Sequence, residues 1–96
     1  MSDFSQDDFQ QQLNSRFTVA AYPEYALTLH QVCPGQAPRS GFEAFSLQFH
    51  GPNPHLAQAT YVLRHEALGE LAIFITPISA QPSHVEYEAV FVRELQ

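Results

Sequence analysis

Five histidines, one cysteine and a close pair of glutamates are the side chains in this 96-residue sequence best suited to metal binding or catalysis. His50 and His55 flank Gly51-Pro52-Asn53-Pro54, and His65 closes the next apolar run. A hairpin at that turn would bring His50 and His55 together as candidate metal ligands. Zinc sites use converging Cys, His or carboxylate donors, often at a recognisable spacing. Neither H-x-x-x-H nor C-x-x-C occurs here, so the histidines read as solvated turn residues or as packed rings with polar tips. Cys33 would need a base to act as a nucleophile. His30 is three residues away, and an odd spacing puts the two on opposite faces of a regular strand. Glu86 and Glu88, two apart, share a face and would raise each other's pKa if crowded. The plainer reading is a charged outer face that guards a sheet edge. The four glycines are scattered singly, and there is no phosphate-binding loop and no G-x-S-x-G elbow. The residues therefore predict no catalytic, metal or cofactor site.

The elements that must position these side chains are strands. From Phe42 to Pro77, three runs of aromatic and branched residues are cut by Gly51-Pro52-Asn53-Pro54 and by Ala67-Leu68-Gly69, which is the pattern of consecutive strands and turns. Phe45, Leu47 and Phe49 alternate with Ser46, Gln48 and His50. Tyr25, Leu27 and Leu29 alternate with Ala26, Thr28 and His30. Val85, Tyr87, Ala89 and Phe91 do the same against Glu86 and Glu88. Arg16–Ala21 and Gln58–His65 read as further strands. Glu70–Thr76, the least polar, is expected to be central. Cys33–Gly41 and Pro77–Ser83 read as loops because of their prolines and glycines. At the N-terminus, Ser5 and Asp8 have the spacing of a capping box ahead of Phe9 and Leu13, so a helix of about two turns is expected to cover one end of the core.

One domain over residues 1–96 follows, with a helix within 1–14 and an antiparallel core over 16–93. About six strands without crossover helices predict an all-β fold, either a small barrel or a two-layer roll. Ten acids against four arginines and no lysine give a formal charge of −6. That balance disfavours nucleic acid and anionic membrane surfaces, and it suits a cationic partner. The lone cysteine excludes an internal disulfide framework. The polar, acidic start has no apolar signal core, so the expected location is the cytoplasm.

The strongest clue to function is surface. Thr60, Val62, Val90 and Val92 lie on faces more apolar than a solvated strand needs, which predicts a protein partner or a homo-oligomer. A second reading is a small-ligand barrel whose rim holds His50, His55 and Cys33. A metal-dependent or hydrolytic enzyme has the least support.

The segments F-S-L-Q-F-H-G-P (Phe45–Pro52), L-A-Q-A-T-Y-V-L-R-H-E-A-L-G (Leu56–Gly69), L-A-I-F-I-T-P (Leu71–Pro77) and Y-E-A-V-F (Tyr87–Phe91), with Phe9–Phe17 ahead of them, carry a resemblance. The chain resembles a family of small bacterial proteins known as a domain of unknown function. The resemblance implies a structural or assembly accessory role, with phage-tail-like systems as a setting. The family has no assigned catalytic residues, so it implies none here.

Overall fold

The computed structural model describes residues 4–37 and 39–94. One short helix, α1 (Gln6–Gln10), precedes six strands: β1 (Arg16–Val19), β2 (Tyr22–Pro34), β3 (Phe42–Gly51), β4 (Ala59–His65), β5 (Gly69–Ala80) and β6 (Val85–Glu94). All pairings are antiparallel, and they close into a ring in the order β1-β2-β3-β6-β5-β4. The all-β, six-stranded small barrel or roll expected from the alternation is the fold observed.

The inward residues of each strand build the core. Phe17, Leu27, Leu29, Leu47, Phe49, Leu63 and Tyr87 have no exposed surface. Alternation sends Ser46, Gln48 and His50 outward between Phe45, Leu47 and Phe49. Ser5 caps α1 as its spacing predicts. Its hydroxyl accepts from the Asp8 N–H at 3.2 Å, and its own N–H donates to Asp8 Oδ2 at 2.8 Å. Five helical residues cannot hold a helix alone. Phe9 anchors it, buried to 1% exposure with its ring 5.9 Å from Phe45 and 5.6 Å from Phe91. The helix is shorter than expected, because turns replace it from Gln11 to Asn14, where Asn14 takes a left-handed φ of 68°.

Four expectations are corrected. Because the ring is closed, β5 is no more central than any other strand, and it buries one face only. Ile73 and Ile75 point in, while Phe74 is 51% exposed. β5 also does not stop at Thr76. It pairs with β4 over Gly69–Ile75, then with β6 over Thr76–Ala80, and a bulge between Pro77 and Ser79 absorbs the proline's missing N–H. β6 is not an edge strand, since β3 and β5 flank it, so Glu86 and Glu88 guard no edge. Finally, β3 and β4 form no hairpin, because β3 pairs with β2 and β6 while β4 pairs with β5 and β1.

Candidate functional site

A polar cluster of histidines and a glutamate lies on the outer wall across β2, β3 and β6. His50 on β3 faces Glu86 on β6 as its direct cross-strand partner. His84 precedes Glu86 by two residues, so the extended backbone turns both the same way. His30 enters through an irregularity. The β2–β3 register slips between Leu29 and Gln31, which leaves His30 in a bulge against His50. The three rings stack, with centroids 4.1 Å apart for His30–His50 and 4.4 Å for His50–His84. Glu86 Oε2 lies 3.2 Å from His84 Nε2 and 3.7 Å from His50 Nε2. Ser83 Oγ lies 2.9 Å from His84 Nδ1. The pKa of His50 is held below the ordinary imidazole range, first by burial and then by His30 and His84, with Glu86 opposing. The neutral form of His50 favoured in this way keeps a ring nitrogen lone pair that can accept a metal ion.

A second Ser–His contact looks like a catalytic dyad. Ser15 Oγ lies 2.8 Å from Nε2 of the buried His65. Its tautomer excludes that role. His65 Nδ1 accepts the Ala67 and Leu68 N–H groups at 2.9 and 3.1 Å, so the neutral ring carries its proton on Nε2. Nε2–H then donates to Ser15 Oγ, which itself donates to the Gln12 carbonyl. A nitrogen that already holds a proton cannot take one from serine. The chain of bonds ties the β4–β5 turn to the end of the N-terminal segment.

At the end of the ring beyond Tyr25, an open groove is lined by Tyr22, Pro23, Tyr25, Pro54, His55 and Leu56. Two of its lining residues, Tyr25 and Leu56, belong to a hydrogen-bond relay. The Leu56 N–H donates to Tyr87 OH at 2.7 Å, Tyr87 OH to Tyr25 OH at 2.6 Å, and Tyr25 OH to the Pro52 carbonyl at 2.6 Å. Since Tyr25 has one proton and gives it to Pro52, the Tyr87–Tyr25 bond runs from Tyr87. Burial, and then Tyr87, push the Tyr25 phenol well above its ordinary value.

The apolar outer surface is formed by β4, β5 and β6. Thr60 pairs with Phe74 and Val62 with Ala72 across β4–β5. Val62 is 43%, Val90 68% and Val92 55% exposed. Phe74 adds the largest side chain to this surface.

A family model described as a domain of unknown function, DUF6916, matches residues 4–91. The chain belongs to that family. No curated protein and no solved structure matches it significantly. Among the described residues, no helix is long and apolar enough to cross a membrane.

Within this DUF6916 domain, the residues singled out from sequence are distributed unevenly. Thr60 and Val62 on β4 and Val90 and Val92 on β6 all point outward, with β5 lying between the two strands. His50, His55 and Cys33 do not share a rim. Cys33 pairs with Ser46, four residues along β3 from His50, and His55 lies in the groove. The bulge at His30 also reverses the face argument for Cys33. Leu29 and Val32 both point inward, so His30 and Cys33 both point outward. Sequence reasoning singled out neither His84 nor Phe74, weighed His30 only as a base for Cys33, and read Glu86 only as part of a carboxylate pair. A readable signal existed for two of these: His84-Val85-Glu86 is an i, i+2 pair at the start of a strand, which places both groups on one face.

Proposed function

We propose that this domain is a non-enzymatic interaction module that binds another protein chain, a separate partner or a second copy, through the outer face of β4, β5 and β6. The observation that carries this reading is the exposed apolar side chains there: Val62, Phe74, Val90 and Val92, from 43% to 68% exposed. Large apolar side chains left this exposed on a small domain mark a contact that water does not satisfy. A formal charge of −6 favours a cationic partner over self-association. The setting we infer is an accessory role in assembling a phage-tail-like or surface structure in the bacterial cytoplasm.

The test is Phe74→Asp combined with Val90→Asp. Both positions are outward, so the fold should persist by circular dichroism. The wild-type chain is expected to form an oligomer in light scattering, or to capture a defined neighbour-encoded protein from native cells, and the double variant to lose that association. A wild-type chain that is monomeric and captures nothing sensitive to the variant overturns the reading. A second reading, small-ligand binding, is favoured by the Tyr22–Tyr25–His55–Leu56 groove. It predicts a thermal shift with a small molecule that Tyr22→Ala abolishes.

A further inference from the structure

We propose that His50, His84 and Glu86 form a binding site for a divalent metal ion of the zinc class on the outer wall of β3 and β6. This stands apart from the interaction reading, since it uses different residues. The three ligand atoms lie within 4.8 Å of one another. A tetrahedral zinc with bonds of about 2.0–2.1 Å to nitrogen and oxygen holds its ligand atoms about 3.3–3.4 Å apart. The Glu86–His84 and Glu86–His50 separations, 3.2 and 3.7 Å, bracket that value. Because the His50 and His84 rings stack at 24°, their in-plane lone pairs run side by side, so His84, which lies just before β6, must turn out of the stack to point Nε2 at the same ion. His50 and Glu86 are held by the continuous β3–β6 ladder, so most of the site is preorganised.

The donor set selects the metal. Two imidazoles and one carboxylate suit zinc, copper or nickel, whereas magnesium and calcium prefer oxygen ligands alone. Three protein ligands leave a fourth position for water or for a donor from another molecule. The surroundings are those of a ligand site. Ser83 Oγ, 2.9 Å from His84 Nδ1, can accept the Nδ1 proton and leave Nε2 free for the ion. His30, stacked at 4.1 Å, fixes the plane of His50. Without metal, His84 Nε2–H donates to Glu86 and Ser83 donates to Nδ1. Metal binding therefore moves the His84 proton from Nε2 to Nδ1.

The full chain, stripped with chelator and desalted, is titrated with zinc chloride near neutral pH by calorimetry. The expected result is one zinc per chain. Removing an outer partner costs about 10–100-fold in affinity, so Ser83→Ala should weaken binding by about tenfold. Glu86→Gln and His84→Gln remove ligands and should each weaken it by about 100-fold or more, while His55→Ala leaves it unchanged. Proton–nitrogen correlation spectra of the wild type should show the His84 tautomer switch on adding zinc, a readout independent of how the variants fold. No saturable binding, a loss below tenfold in either ligand variant, or an unchanged His84 tautomer overturns the proposal.

Discussion

Tyr87→Phe isolates one atom at the middle of the relay that meets the groove. Tyr87 is fully buried, and phenylalanine keeps its ring, so the apolar burial of the core is unchanged. What disappears is the hydroxyl that accepts the Leu56 N–H at 2.7 Å and donates to Tyr25 at 2.6 Å. Two net hydrogen bonds at about 1 kcal/mol each, plus part of the cost of a half-buried N–H left without an acceptor, give roughly 2–3 kcal/mol of destabilisation. For a domain of this size that lowers the melting temperature by roughly 10–20 °C. Tyr25→Phe removes the same central bond and the one to Pro52. The double variant should therefore cost about 1 kcal/mol less than the sum of the singles, because the shared bond is counted twice. Urea unfolding followed by circular dichroism measures all three. A Tyr87→Phe cost below about 0.5 kcal/mol, or strict additivity of the two singles, would refute the relay.

Two further outcomes follow from the same core. Burial lowers the His65 pKa, so as pH falls through about 6.5 the unfolded chain takes up a proton before the native chain does. The stability contributed by the neutral ring is present above that pH and is lost as pH falls through the lowered native value. Urea midpoints measured across this window should decline less steeply in His65→Gln than in the wild type, and equal slopes would contradict the assignment. Gly51→Ala would bring a Cβ to 2.8 Å from Leu27 Cδ2 and 3.1 Å from Tyr25 Cε1. Since Leu27 is fully buried, overpacking should cost about 1–3 kcal/mol in the same assay, and a neutral substitution would show that Leu27 has room to yield.

Much of the fold was legible because strand alternation is a local property. Phe45, Leu47 and Phe49 on β3, and Val85, Tyr87 and Ala89 on β6, point inward as their period of two requires. The capping box was legible for the same reason, since Ser5 and Asp8 are three residues apart. Alternation failed where the register slipped. At His30 the bulge put Leu29 and Val32 on one face, and at Pro77 another bulge let β5 continue past a residue that reads as a strand end. Nothing in the local pattern of these segments marks a bulge, because the extra residue is specified by the strand opposite.

Away from the bulges in β2 and β5, the sequence by itself determined which side chains the strands would bury, and with them the all-β class, the helical cap and the outward apolar residues Thr60, Val62, Val90 and Val92. The tertiary structure alone decided which strands became neighbours. Residues 30, 50 and 84 carry no shared spacing, and their rings meet only because β3 pairs with β2 on one side and β6 on the other. Side-chain direction is set within a few bonds of each residue, whereas strand order is set by how the whole chain closes over one core.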